Sequence, residues 1–337
     1  MLDSRAVCRI LGIFVFIVGI VACNPHKEAT VGWKLQKHSA GPGPEDVEID
    51  LIHDRLLISC SARREKEDFF GEIIALYKNE GKVTVDTLAR EGEPSGLIFQ
   101  PHGISLVQDV RGQQHLYIVN HEDDVPKQSI LKYEVKPDRL IFKEQFTDPL
   151  LVSPNSVLGQ PNGSFYTTND ASKRGSRFQA LFKVKGASVL YYDGKGNWKT
   201  VHKRLSYANG LARRNDSLFL TSTRQHQLRI LRVEDEGDLT LLSTVKGIKG
   251  ADNIRFDGKY LLIPGHPKIL KFVKHVGNPN KKSPSLVYRV DPQSLELEEF
   301  FYDPGEGISA GSSALPWKGS YWLVQVLDPF VAELNKP

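Results

Sequence analysis

The sequence has 337 residues, of which 40% are hydrophobic and 25% charged, and its formal net charge is +4 at pH 7. So small an excess of positive charge argues against a nucleic-acid-binding protein, which needs a concentrated basic surface. Three cysteines in a chain of this length also exclude a small scaffold held together by many disulfides.

The N-terminus has the pattern of a secretory signal. Arg5 and Arg9 precede an apolar run from Ile10 to Ala22, which is shorter than the about 20 residues that a transmembrane helix needs. The run ends in Ile-Val-Ala-Cys, which matches the cleavage box of a bacterial lipoprotein. An uncleaved membrane anchor is the alternative, and the small residue immediately before Cys23 disfavours it.

The signal divides the chain into three segments. We expect a lipoprotein signal peptide over residues 1–22, a tether over 23–32 and one domain over 33–337. Cys23 would carry the lipid that holds the protein to the bacterial cell envelope. Asn24 is not the aspartate that retains lipoproteins at the inner membrane, so we expect the outer membrane. Cys60 is then left without a partner and is predicted to be a buried free thiol.

The domain is built on an internal repeat. A polar loop, an apolar strand, a turn and a second apolar strand recur six times, at intervals of 43 to 60 residues. Repeats of about 40 to 50 residues are typical of β-propellers. The six units begin at Glu45-Asp46, His102-Gly103, Asn155-Ser156, Asn209-Gly210, Asp252-Asn253 and Ser312-Ser313.

These units predict an all-β fold, a six-bladed β-propeller with four-stranded blades around a central metal-binding tunnel. A β-sandwich also has many short strands, but it would not place a polar residue at the same point of six successive hairpins. Beyond the signal we expect no helix, and residues 275–283 have the composition of a solvated loop. Hydrogen bonds between the segment near Trp33 and the last blade are expected to close the ring.

A propeller brings the leading residues of its units together around the axis. The five oxygen-bearing side chains among them suit Ca²⁺, which takes 6 to 8 oxygen ligands. Zinc is disfavoured because the histidines are scattered and cysteine is missing. The predicted calcium ligands are Glu45, Asn155, Asn209, Asp252 and Asn253.

Six short motifs, in order, resemble those of the paraoxonase/arylesterase family. They are GPEDVEI from Gly43, PHGIS from Pro101, YTTND from Tyr166, ANG from Ala208, ADNI from Ala251 and GHP from Gly265. The resemblance runs from about Gly43 to Leu334. The broader group of gluconolactonase-like propellers is the second candidate, since it shares the architecture and often the metal.

The resemblance implies a catalytic calcium held by the five ligands above. It also implies a second, structural calcium on Asp46, the backbone oxygen of Ile104 and a carboxylate at position 156, where this chain has Ser156. A histidine pair above the metal falls on His102 and His121. Two further pocket residues of the family fall on Asp170 and His266.

The implied activity is that of a calcium-dependent lactonase or arylesterase, in which water attacks a small ester or lactone. We expect His102 to be the general base and His121 its helper, with Glu45 and Asp252 as rivals for the base. A gluconolactonase-like sugar lactonase and a non-catalytic, calcium-stabilised binding propeller are the alternatives. No P-loop is present in the sequence. The expected partners are the substrate and, through the lipid, the membrane. We expect the protein itself to be a monomer.

The lipid anchor is open to a direct test. Replacing the acylated residue, Cys23→Ala, should leave an unprocessed precursor that no longer partitions into the detergent phase of a whole-cell extract. Cys60→Ala is the matched control and should partition like the parent. Unchanged partitioning of Cys23→Ala would show that the apolar run itself is the anchor.

Overall fold

The computed structural model describes residues 28–64, 71–122, 128–173 and 183–336. The predicted signal peptide and Cys23 lie outside these ranges, so both stay predictions. Within the described ranges, no helix has the length and apolar character required to cross a membrane. The strands form six sheets arranged in a ring, which confirms the predicted six-bladed β-propeller.

Consecutive strands of each blade pair antiparallel. Strand β1 (Lys34–Ser39) precedes the blades and joins the last of them. Blade 1 consists of β2 (Pro44–Asp50), β3 (Arg55–Ser61), β4 (Gly71–Asn79) and β5 (Lys82–Thr87). The short strand β6 (Ala89–Glu91) pairs in parallel with the edge of blade 2, which consists of β7 (Pro101–Gln108), β8 (Gln114–His121), β9 (Gln128–Val135) and β10 (Arg139–Phe146).

The next two blades repeat this order. Blade 3 consists of β11 (Pro154–Gly159), β12 (Phe165–Asn169), β13 (Ala187–Tyr192) and β14 (Trp198–Leu205). Blade 4 consists of β15 (Ala208–Arg214), β16 (Ser217–Ser222), β17 (Gln227–Val233) and β18 (Leu239–Lys246), with a 3₁₀ turn at Asp235–Gly237.

Blade 5 differs from the others because a helix interrupts it. Its strands are β19 (Arg255–Asp257), β20 (Tyr260–Gly265), β21 (Ser285–Val290) and β22 (Leu297–Asp303), with helix α1 (Ile269–Gly277) between β20 and β21. Blade 6 consists of β23 (Gly311–Trp317), β24 (Ser320–Gln325) and β25 (Phe330–Asn335), and β1 is its fourth strand.

The ring is closed by main-chain pairing between the two ends of the domain, as predicted. β1 pairs antiparallel with β25, from Lys34 opposite Asn335 to Ser39 opposite Phe330. Just before β1, the Trp33 ring packs edge-on against Phe300, Phe301 and Tyr321, with centroids 5.2, 5.6 and 5.7 Å away. Residues far apart in sequence are therefore held together without a disulfide.

The hydrophobic core lies in layers between neighbouring blades. Between blades 6 and 1, for example, Val47 and Leu56 pack against Trp322 and Val324. Cys60 is buried in the same layer as a free thiol, as predicted, and burial raises its pKa far above the usual range. Such a thiol is a packing residue and not a nucleophile.

Helix α1 contradicts the expectation that no helix follows the signal. It also contradicts the start of the predicted solvated loop, because residues 275–277 belong to the helix and His275 is fully buried. Residues 278–282 are exposed and not helical, as predicted. The helix has nine residues, fewer than the window of about 11 to 18 over which a helical period is usually counted. Its apolar residues do follow the i, i+3, i+4, i+7 spacing, at Ile269, Phe272, Val273 and Val276.

Closure of the ring by Trp33 can be tested by a single substitution. Trp33→Ala removes three aromatic contacts from a half-buried side chain and should lower the free energy of unfolding by about 2 kcal/mol. Val31→Ala is a control in the same segment, because Val31 is 86% exposed. The urea midpoints of both variants should be compared with that of the parent. Equal midpoints would show that the β1–β25 pairing closes the ring without the tryptophan.

Candidate active site

The leading polar residues occupy the same place in five blades. Each is the second residue of the first strand of its blade, and the register between first and second strands shifts there, as at a β-bulge. These residues are Glu45, His102, Asn155, Asn209 and Ser312. In blade 5, Asp252 and Asn253 lie just before β19. Because a bulge turns a side chain out of the strand's alternation, the repeat aims these side chains at the centre of the ring.

A cavity of about 530 Å³ opens where the first strands meet. Its polar lining includes four predicted calcium ligands, the predicted base His102, the predicted pocket residue His266, and two residues that the sequence did not indicate. These residues are Glu45, Asn155, Asn209, Asp252, His102, His266, Tyr207 and Thr223. Its apolar lining comes from helix α1 and Val326. The cavity therefore combines a polar floor with an apolar wall.

Asn253, the predicted ligand that does not line the cavity, is hydrogen-bonded to the predicted ligand Glu45. The Asn253 amide nitrogen donates to Glu45 Oε1 over 3.0 Å. In the same way, the Asn155 amide donates to Asp170 over 3.5 Å and the Asn209 amide donates to Thr223 over 3.3 Å. Each asparagine thus uses its nitrogen to fix its orientation.

Three side-chain oxygens of the predicted calcium ligands have no hydrogen-bond partner among the described residues. Asn155 Oδ1, Asn209 Oδ1 and Glu45 Oε2 are buried, and none accepts a hydrogen bond from the described residues. Buried polar atoms in native proteins nearly always have partners, so three such oxygens in one cavity need an explanation. Their chemistry fits a hard cation such as Ca²⁺, which binds amide and carboxylate oxygens.

The electrostatics of the site point the same way. The pKa of Glu45 is raised to about 8, first by burial and then by the negative charge of Asp46, while the positive Arg63 opposes the rise. A bound cation would favour the charged carboxylate instead. Among the described residues, no three His, Cys, Asp or Glu side chains are grouped as a metal site. The predicted set is of a different kind, since it has two carboxylates and three asparagines.

The second predicted metal position does not fit a metal. Asp46 is 1% exposed, and its Oδ1 accepts from the Arg255 guanidinium over 2.7 Å. The same guanidinium nitrogen lies 3.4 Å from the backbone oxygen of Ile104, the other ligand available at this position. Ser156 brings no charge. A cationic side chain already contacts the atoms that would bind the ion.

Hydrogen bonds assign the protons of the histidine pair, whose ring centroids are 5.0 Å apart. Arg63 lies 3.2 Å from His102 Nδ1, and because arginine can only donate, neutral His102 carries its proton on Nε2. That Nε2 is 3.8 Å from Glu45 Oε1. His121 Nδ1 lies 2.6 Å from Gln128 Oε1, an acceptor, so His121 donates there and keeps its lone pair on Nε2.

The two remaining predicted pocket residues, His266 and Asp170, each contact a predicted calcium ligand. His266 Nε2 is 2.8 Å from Asp252 Oδ2, and its ring packs on Phe272 with centroids 4.3 Å apart. Asp170 accepts from the Ser153 hydroxyl over 2.5 Å and also orients Asn155. Both hold a predicted calcium ligand in place.

Sequence reasoning missed several residues of the site. Arg63 and Gln128 set the histidine protons, Phe272 forms part of the wall, and Arg255 contacts Asp46. Only Phe272 carries a readable signal, the helical spacing of α1. The other three lie at variable positions of the repeat, so nothing in the sequence pattern marks them.

Comparison with known proteins identifies the group to which the chain is similar. The model of the arylesterase family matches residues 65–300. Human serum paraoxonase/lactonase 3 is 26% identical over 227 residues, which are 65% of this chain and 63% of that protein. Dog serum paraoxonase/arylesterase 2 is 26% identical over 57% of this chain and 55% of its own length. The alignments thus span less than two thirds of these relatives.

A longer alignment and two solved structures extend the comparison. Human serum paraoxonase/arylesterase 1 is 23% identical over 82% of this chain and 81% of that protein. A gluconolactonase from Xanthomonas campestris superposes with a TM-score of 0.59 at 13% identity, covering 90% of each chain. A luciferin-regenerating enzyme gives the same TM-score at 10% identity, over 90% of this chain and 95% of its own. At such identities the structural likeness shows the propeller fold alone.

Proposed function

The chain belongs to the arylesterase family, and from that premise we propose that it is a calcium-dependent hydrolase of lactones or aryl esters. The observation that carries the proposal is the cavity, where buried oxygens without hydrogen-bond partners lie opposite an apolar wall. The names of the relatives, which include lactonase and arylesterase, support the same class of reaction.

Calcium would be held by Glu45, Asn155, Asn209, Asp252 and Asn253. Bound there, it would polarise a carbonyl oxygen as a Lewis acid and stabilise the charge that develops on that oxygen. The protein's part is to keep these oxygens in place. Ser312 contributes to this, because its hydroxyl donates to the backbone oxygen of Glu45 over 2.6 Å and is therefore not poised as a nucleophile.

The apolar wall selects the kind of substrate. Ile269, Phe272, Val273 and Val276 line the cavity from helix α1, and Val326 lines it from the loop after β24. Such a surface gains by burying the aryl or alkyl part of an ester. A sugar lactone would leave its hydroxyls without partners against this wall, which disfavours the gluconolactonase-like alternative.

The histidine pair handles the proton of the attacking water. His121 Nε2 holds a lone pair, and its ring centroid lies 5.0 Å from that of His102, which is the member of the pair that lines the cavity. His121 would therefore act on the attacking water through the gap beside His102, directly or through one further water. We assign His121 as the general base and His102 Nε2–H as a donor that orients the substrate or water. This differs from the roles expected from the sequence, in which His102 is the base, and the reason is the contact with Arg63.

Metal dependence can be tested with activity and with stability. Purified protein should contain one calcium per chain at the ligand set, and chelation should abolish turnover of lactones and aryl esters. A ligand that binds only the folded state at 100 times its Kd stabilises that state by about 2.7 kcal/mol, so chelation should also lower the Tm.

A matched pair of substitutions locates this calcium. Asn209→Ala should lose calcium affinity and activity, whereas Asn280→Ala, at an exposed asparagine, should behave like the parent. Zinc in the purified protein, or activity and Tm that ignore the chelator, would contradict the proposal. Calcium binding without turnover of any lactone or ester would favour the binding propeller instead.

The two histidines can be separated by their pH–rate profiles. His121→Gln should lower lactone kcat/KM by about 10²- to 10⁴-fold and remove the acid limb of the profile, because the glutamine has no basic nitrogen. His102→Gln keeps an N–H donor, so its loss should be smaller and its acid limb should persist. Calcium content checks that neither variant disturbs the metal. Loss of the acid limb in His102→Gln alone would make His102 the base.

A further inference from the structure

We propose that the Arg255 guanidinium is a built-in cation that replaces a second metal ion beside Asp46. The protein would then hold a single calcium, and the centre of its ring would be stabilised by a side chain that no chelator can remove. The single calcium rests on the site proposed above, whereas the role of Arg255 in stability is independent of the hydrolase activity.

The first support is the set of atoms around Asp46. Oδ1 accepts from the Val47 backbone N–H over 2.9 Å and from Arg255 over 2.7 Å, and Oδ2 accepts from the Ile104 backbone N–H over 2.9 Å. With three donors on a side chain that is 1% exposed, both carboxylate oxygens are hydrogen-bonded. Burial raises the pKa of Asp46, and the Arg255 guanidinium opposes that rise.

The second support is the reach of Arg255. Its Nε donates to the backbone oxygen of Val47 over 2.7 Å, and its Nη2 lies 3.4 Å from Glu48 Oε1 as well as from the Ile104 oxygen. Arg255 begins β19 of blade 5, whereas its partners lie on β2 of blade 1 and β7 of blade 2. Blades 1 and 2 are not neighbours of blade 5, so one side chain ties together strands from different parts of the ring.

The third support is the ligand chemistry. A Ca²⁺ ion needs 6 to 8 oxygens, and here the guanidinium already contacts the Asp46 carboxylate and the Ile104 carbonyl. Ser156 is 3% exposed and neutral. With a neutral Ser156, the single positive charge of Arg255 matches the single negative charge of Asp46. Arginine also suits the place geometrically, since its planar fork can donate to several oxygens at once.

The pairing also positions the candidate active site. Asp46 follows Glu45 directly in β2, and Arg255 lies two residues after Asn253. Arg255 therefore fixes the backbone that carries two predicted calcium ligands, without itself lining the cavity. In this sense it is a positioning residue.

The test measures Tm and calcium per chain in the full-length mature protein. The parent should bind one calcium, and Arg255→Ser should lower the Tm by roughly 5 to 15 °C, because a buried carboxylate loses its cation. Excess calcium should not restore this loss, since Ser156 leaves the position short of ligands. Arg232→Ser, at a surface arginine paired with Glu234, is the control and should leave the Tm nearly unchanged.

A compensating variant makes the test reversible. Arg255→Ser combined with Ser156→Asp should bind two calcium ions per chain and recover the lost Tm only when calcium is present. If Arg255→Ser does not fold, Arg255→Lys serves instead, and it should lose less because it keeps the charge. Two calcium ions per chain in the parent would overturn the proposal, and so would an unchanged Tm in the Arg255 variants. One calcium per chain in the parent, together with a lower Tm in Arg255→Ser or Arg255→Lys, would support it.

Discussion

Negative charge buried at the centre of the ring is the constraint on which the rest of the structure depends. Glu45, Asp46 and Asp252 are each 5% exposed or less, and buried carboxylates are tolerated only when they are paired or hydrogen-bonded. Each has its own partner: Asn253 for Glu45, Arg255 for Asp46 and His266 for Asp252. All three partners come from blade 5 or the loops beside its first two strands, so that blade supplies the hydrogen-bond partners of the carboxyl groups that the ring brings together.

Close approach of the blades is what makes such a centre possible. A β-carbon on Gly210 would lie 2.7 Å from the Asn253 α-carbon, and one on Gly103 would lie 2.4 Å from the Asn155 backbone oxygen. Real β-carbons do not come so close, which explains why glycine follows the leading polar residue in these two units. In each of the dipeptides His102-Gly103 and Asn209-Gly210, the two residues therefore have complementary roles. The first residue points at the centre, and the second lets the neighbouring blade come near enough to share it.

The features of the fold that the internal repeat determines could be predicted from the sequence. Six units with a polar residue at one position predicted the number of blades, and in five blades that residue is the second residue of the first strand. Helix α1 was not predicted because it is short, although its apolar residues follow a helical spacing. The contacts of Arg63, Gln128 and Arg255 could not be foreseen, because each joins residues that are distant in sequence or outside the shared positions of the repeat. Proton positions on a histidine depend on such partners and not on the histidine's own neighbours in sequence.

The two cation positions proposed for the ring answer different physical requirements. At the cavity, asparagine nitrogens are used up on neighbouring side chains while Asn155 Oδ1 and Asn209 Oδ1 have no partner, so the site offers oxygen and remains accessible. A catalytic ion needs that arrangement, because a substrate oxygen must be able to join it. Beside Asp46 no substrate has to enter, and every oxygen can be satisfied permanently. A covalently attached guanidinium meets that second requirement without depending on the concentration of free metal ions. On this proposal Ser156 and Arg255 act together, since neither adds a metal ligand beside Asp46, and metal dependence would be confined to the cavity.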